Sequence, residues 1–171
     1  MRKAFTLIEL LISIVILTIL MLFLYKSYAA LNRSNTVLAQ ELTSIEKFEK
    51  VKKVLYMDFT LALKSKKIVT ILKQDRNADV VFLQTKNSLH KRVNPYVAYV
   101  FKEHKLYRLE SLKPFKEYPF TADVEFVADY LGEVDTFRVY ESKRAKSKVY
   151  LVHILFADAK EILLKIKPLN S

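Results

Sequence analysis

Glu9 is the residue whose setting most calls for chemistry. It is the only ionisable side chain between Phe5 and the terminal Tyr25 of an otherwise apolar run, and it follows the basic stub Met1-Arg2-Lys3-Ala4 closely. An acidic side chain at the centre of a membrane helix costs about 2.5 kcal/mol or more on insertion scales, so a carboxylate placed there needs a partner charge. A second reading is local. Thr6-x-x-Glu9 ahead of an apolar run is a capping box, in which the two side chains satisfy orphan N–H groups of the first helical turn. The residues by themselves leave both readings open.

Other chemistry finds little to stand on. The chain has no cysteine, which removes thiol catalysis, thiolate metal ligation and disulfides. Its single glycine, Gly132, excludes glycine-rich phosphate loops. His90, His104 and His153 are widely spaced, with no metal-ligand or nucleophile motif around them, and His153 reads as a packing or surface residue within a strand. Asp123, Glu125, Asp129, Glu133 and Asp135 form a local acidic group strung along a strand and its turn. They lack calcium-loop spacing and read as solvated surface. We therefore expect no enzyme activity, no catalytic residue, no cofactor and no metal site.

The apolar run is long enough to span a bilayer as a helix, for which roughly 20 residues suffice. It exceeds the apolar core of an ordinary secretory signal, although Ser27-Tyr28-Ala29 imitates a small-x-small cleavage site. The lipoprotein route is closed by the lack of cysteine. An uncleaved signal anchor is not excluded by the run alone. Under each of these readings Arg2 and Lys3 keep the N-terminus cytoplasmic.

Taken together, Arg2-Lys3-Ala4-Phe5-Thr6-Leu7-Ile8-Glu9 and the apolar run closely resemble the class III signal of the type IV pilin and pseudopilin family. The resemblance implies a membrane-embedded prepilin peptidase that cuts between Ala4 and Phe5 and methylates the new N-terminus, Phe5. It also implies that Glu9 is the acidic residue that guides assembly. At i+4, one helical turn on, the carboxylate can pair with the ammonium created at Phe5, or with that of a neighbouring subunit, which offsets part of the burial cost. Before the cut the family usually has Gly, where this chain has Ala4. The partners implied are the peptidase, other pilin or pseudopilin subunits, an inner-membrane assembly platform and the membrane itself.

The rest of the chain divides accordingly: a leader over 1–4, a transmembrane assembly helix over 5–25, an amphipathic continuation over 26–66, and an extracytoplasmic β-rich domain over 67–171. From Ala29 to Ser65 there is neither Gly nor Pro, and Leu38, Leu42, Ile45, Phe48, Val51, Leu55, Phe59 and Ala62 recur at helical spacing. This stripe is expected to lie on a sheet, in a helix running to about Ser65. Family pilins commonly place a proline in this helix, but the first here is Pro95, so no proline kink is expected. Any break should fall at Leu31 to Thr36, where Asn, Ser and Thr side chains compete for the backbone.

From Ile68 the pattern becomes β-branched and aromatic, with eight runs: Ile68-Leu72, Val80-Leu83, Val97-Phe101, Leu106-Leu109, Val124-Val127, Phe137-Tyr140, Val149-Phe156 and Ile162-Ile166. The third and fourth, and the last two, are spaced as antiparallel hairpins. The expected fold is α+β and pilin-like, one long N-terminal helix packed on a mainly antiparallel β-sheet. Many pilus-forming pilins staple their C-terminal region with a disulfide, so the absence of cysteine leans toward pseudopilins or minor pilins. Lys53 to Asp58 late in the helix, Tyr99-Val100-Phe101 with Leu106-Tyr107-Arg108, and Val149 to Val152 resemble the larger minor pseudopilins of the J type.

The function implied is a structural subunit of a type II secretion pseudopilus or a type IV pilus. Charge supplies the competing reading. The formal net charge is +11, of which Arg2 and Lys3 supply two, and a basic exterior attracts polyanions. Lys143, Arg144, Lys146 and Lys148 are the candidate polyanion contacts, followed by His90-Lys91-Arg92 and Lys64 to Lys67. A DNA-binding minor pilin of an uptake system is thus the alternative, with nucleic acid as partner, though lysine-rich loops are usually only solvated. A signal-anchored β-domain that forms no filament is the third reading.

Overall fold

A computed structural model of the chain describes residues 6–64, 68–74, 77–120, 124–142 and 148–170. It divides into two compact units, Met1–Phe48 and Glu49–Ser171. Helix α1, Leu7–Thr60, begins in the first and ends in the second.

In the first unit, α1 is long and apolar enough to cross a membrane, and none of that apolar window is buried. Two hydroxyls of its apolar stretch are satisfied within the helix. Ser13 Oγ donates to the Glu9 carbonyl at 2.7 Å, and Thr18 Oγ1 to that of Ile14 at 2.8 Å. This removes an unpaired donor from an apolar environment. The weak stretch at residues 31–36 stays helical, and Thr36 Oγ1 donates to the Arg33 carbonyl.

Within the first unit Leu38, Leu42 and Ile45 are each more than half exposed. Within the second unit Val51, Val54, Leu55, Asp58 and Phe59 are buried, so there the burial of the helix begins at Val51.

The helix also stops earlier than expected, at Thr60 rather than about Ser65. No Gly or Pro ends it; tertiary hydrogen bonds do. The Thr60 carbonyl accepts from the Leu169 amide (3.0 Å), that of Leu61 from Lys86 (3.1 Å), and Leu63 N donates to the Gln84 carbonyl (2.7 Å). Carbonyls left orphaned by a helix end are thereby paired with the sheet and the C-terminal segment.

Seven strands follow: β1 Val69–Lys73, β2 Asp79–Gln84, β3 Tyr96–Lys102, β4 Lys105–Ser111, β5 Phe126–Glu141, β6 Tyr150–Phe156 and β7 Glu161–Ile166. They form one sheet in sequential order, with every neighbouring pair antiparallel. Both expected hairpins are present. The β3–β4 turn places Glu103 and His104 at φ 51° and 59°, the positive dihedrals that a two-residue hairpin needs to match strand twist.

The fifth and sixth expected strands are one strand, β5. Its first half pairs with β4 and its second half with β6. Gly132 lies inside it, beside Glu133 of the acidic group expected along a strand and its turn, at a register shift where Leu106 faces Gly132 and Tyr107 faces Tyr130. An inserted residue bends a strand and raises its twist without ending it. The second half then swings beside the start of β2: Ala78 bridges Phe137, Phe137 N donates to the Asn77 carbonyl, and Val139 N donates to Asp79 Oδ2, both at 2.9 Å. The sheet is curled as a result.

Gly132 has φ +143°, and an added Cβ would lie 3.1 Å from Phe156 Cε1. Gly132→Ala should therefore destabilise the domain by about 1–3 kcal/mol, the usual cost of forcing a side chain into such a backbone conformation, seen as a lower denaturant midpoint.

Both faces of the sheet are covered. On one, Leu55 and Phe59 of α1 pack at 0% exposure, with Phe59 5.9 Å from the Tyr150 ring and 6.3 Å from that of Tyr99. On the other, Val80, Phe82, Ala98, Val100 and Leu109 are roofed by Phe115, Tyr118, Phe120 and Val124 from the β4–β5 connection. Period-2 alternation in β2 to β4 separates the two sets.

Candidate functional site

Two polar constellations are built into the chain, one in each unit. At the start of α1, Glu9 and Thr6 cap the helix reciprocally. Glu9 Oε2 accepts from Thr6 N at 2.9 Å and from Thr6 Oγ1 at 2.8 Å, while Glu9 N donates to Thr6 Oγ1 at 3.4 Å. The capping box is thus formed. The carboxylate is turned back along the helix toward Thr6. Ala4 and Phe5, the expected processing residues, lie outside the described residues.

The second constellation was not foreseen. Arg108 on β4 is fully buried, and three carboxylates face it. Its Nε donates to Asp58 Oδ2 at 2.8 Å and its Nη2 to Asp58 Oδ1 at 3.3 Å, a bidentate pair with the last turns of α1. Its Nη1 donates to Glu110 Oε2 at 2.7 Å and lies 3.6 Å from Asp129 Oδ2. Strand register explains the meeting: Val81, Tyr99, Arg108 and Asp129 are directly paired across β2, β3, β4 and β5. Residues so paired share a face.

Asp58 is completed by Tyr99 OH at 2.6 Å and Asn87 Nδ2 at 2.7 Å. Glu110 accepts from Ser88 Oγ at 2.6 Å and from the Leu89 amide at 3.0 Å. His90 Nε2 lies 3.0 Å from Asp129 Oδ2, and Arg92 Nη1 donates to the Glu110 carbonyl at 2.8 Å. Every charge in the cluster therefore has a charged or hydrogen-bonding partner, the condition for keeping ions in an apolar interior.

The ionisation equilibria follow. Burial alone would make the Arg108 guanidinium easier to deprotonate, but its bonds to Asp58 reverse this and hold the proton more tightly than usual. Burial, with the Asp58 charge beside it, pushes the Tyr99 phenol well above its ordinary value. For Glu110, burial pulls upward, but Ser88, Arg108 and the Leu89 amide outweigh it and lower the carboxyl below its ordinary 4.5. A carboxylate that is more acidic when folded stabilises the fold fully above its unfolded value and loses that contribution as pH falls through the folded one. Acidification below about pH 4.5 should therefore lower the denaturant midpoint, and Glu110→Gln should flatten that part of the profile.

The other sequence candidates are dispersed. Lys143, Arg144 and Lys146 lie outside the described residues, and Lys148 Nζ is 3.0 Å from Glu141 Oε1. In the second basic group, His90 and Arg92 are drawn into the Arg108 network. In the acidic group, Asp129 faces Arg108 and His90, Asp135 lies 3.7 Å from His104, and Asp123 is outside the described residues. His153 is 2.9 Å from Glu161 on the neighbouring strand. The sequence signal that could have exposed the network is an arginine and a glutamate two residues apart on one face of a strand, together with an aspartate on the buried side of the helix.

Residues 1–25 match the family model of the prokaryotic N-terminal methylation motif. No curated protein and no solved structure matches the chain. The N-terminus is thus a type IV pilin-like class III signal, and the α+β architecture of one long helix and an antiparallel sheet is consistent with a pilin-like fold.

Proposed function

We propose that this pilin-like precursor yields a structural subunit, a minor one, of a type II secretion pseudopilus or type IV pilus. Prepilin peptidase cuts it between Ala4 and Phe5 and methylates Phe5, and the subunit assembles through α1. The observation that carries this reading is the methylation motif over residues 1–25, continuous with a helix able to cross a membrane. The exposed Leu38, Leu42 and Ile45 support it, since an apolar helical stripe left open beyond the membrane segment suits packing against the helices of like subunits.

The geometry of Glu9 fits the same role. Its carboxylate is already aimed toward the N-terminal side of the first turn, where cleavage creates an ammonium. The leader's Arg2 and Lys3 hold the N-terminus in the cytoplasm, and the β-rich unit lies outside it.

The test is intact mass and N-terminal sequence of the protein from membranes of cells with and without active prepilin peptidase. A chain beginning at Phe5 and carrying one extra methyl group, only when the peptidase is active, is the expected result. A chain beginning at Met1 in both overturns the reading and leaves an anchored β-domain.

A further inference from the structure

The connection between β2 and β3, residues 85–95, is anchored at its ends by backbone bonds of Thr85, Lys86 and Pro95, and over residues 87–92 by the ion cluster beneath it. Asn87 binds Asp58 through its side chain, and its carbonyl accepts from Arg108 Nη2 at 3.4 Å. Ser88 and the Leu89 amide bind Glu110. The Ser88 hydroxyl in turn accepts from Arg92 N at 2.7 Å and His90 N at 3.2 Å. Lys91 and Asn94 adopt φ of 58° and 48°, strained values for non-glycine residues that persist only where surroundings enforce them. At the outer side Lys91 is exposed, and Val93 is 84% exposed. None of residues 87–92 is buried; this stretch is held by Asp58, Glu110 and Asp129, all three facing one guanidinium.

We infer that Asp58, Arg108 and Glu110 form a relay that couples the last turns of α1 to the order of the 85–95 loop, so that shifting that part of the helix away from β4 releases the loop. Asp58 is the only member carried by the helix; Glu110, two residues from Arg108 on the same strand, is the member that grips the loop. Displacing Asp58 frees one side of the guanidinium and lets it reorient toward Glu110 and Asp129. Glu110 is then drawn from Ser88 and Leu89. Coupling of this kind travels through hydrogen-bonded networks with more than one arrangement. It does not depend on the filament reading, and gives the exposed Lys91–Val93 tip a conformation set by the helix.

The test is residue-resolved hydrogen exchange on the full chain in detergent micelles, comparing the native sequence with Asp58→Asn. The informative amides are Leu89 and Arg92, which bond to Glu110 and Ser88 and not to Asp58. Both should exchange at least about tenfold faster, while amides of β3 and β4 change less than about twofold. Native-level protection at Leu89 and Arg92 in a folded Asp58→Asn protein overturns the relay. If that variant does not fold, Asn87→Ala decides, since it leaves the Arg108 ion pairs intact and cuts the loop from Asp58. Because the Arg108 relay is untouched in that variant, Leu89 and Arg92 are expected to keep native-level protection, and faster exchange there would show the loop to be held through Asn87 rather than through the relay, which overturns the inference.

Discussion

Arg108→Ala should cost the domain about 3–5 kcal/mol, the range for removing one partner of a buried ion pair. The reason is what remains. Asp58 and Glu110 are both fully buried and would be left without the cation that compensates them. Asp58 also lies within the last turn of α1, where the helix dipole disfavours an anion. Arg108 is thus what permits an aspartate at that position. Arg108→Lys should fall between, because an ammonium cannot reproduce the bidentate bond to Asp58 while also reaching Glu110. Lys52→Ala is the control: its pair with Glu49 is exposed on both sides, and its loss should cost less than about 1 kcal/mol. Urea midpoints of the variants in detergent check the order. An Arg108→Ala midpoint within error of Lys52→Ala would show the network to be energetically idle.

Glu9→Ala should abolish incorporation into filaments while leaving the protein in the membrane. Two functions would be lost together: the cap on Thr6, worth about 1 kcal/mol in such motifs, and the carboxylate that we propose pairs with the ammonium of Phe5 or of a neighbour. Glu9→Gln separates them. Glutamine serves in capping boxes as glutamate does, but it carries no charge. Filament and membrane fractions should show Glu9→Gln as defective as Glu9→Ala if charge pairing guides assembly. Restoration by glutamine would assign the effect to the cap alone. Wild-type assembly of Glu9→Ala would remove Glu9 from the mechanism.

The two variants differ in how visible their residues were beforehand. Glu9 stands out because its context is local: a basic stub, a threonine three residues earlier and an uninterrupted apolar run all fall within the first 25 residues. Arg108 and Asp58 had appeared only within short segments, one in a hairpin and one late in the helix, that resemble the larger minor pseudopilins. Their partnership spans 50 residues, that of Tyr99 with Asp58 spans 41, and that of Asn87 with Asp58 spans 29. Nothing in the period of either segment announces such a meeting. His90-Lys91-Arg92 was read as a candidate polyanion contact, and Asp129 as solvated surface, for the same reason. Exposure is a property of what packs above a residue, and the sequence lists only what lies beside it.

The sequence by itself determined the N-terminal signal, the membrane-length apolar helix, the α+β class and both hairpins, because each rests on short-range periodicity, capping and turn chemistry. The tertiary structure alone decided where the helix stops, where its apolar stripe becomes buried, that two expected strands are one bent β5, and that a buried arginine joins helix, sheet and loop. Those outcomes depend on hydrogen bonds and ion pairs between residues brought together only by sheet register and curl. Register aligns residues that the chain keeps far apart, and the competition between desolvation and pairing is settled only once they meet.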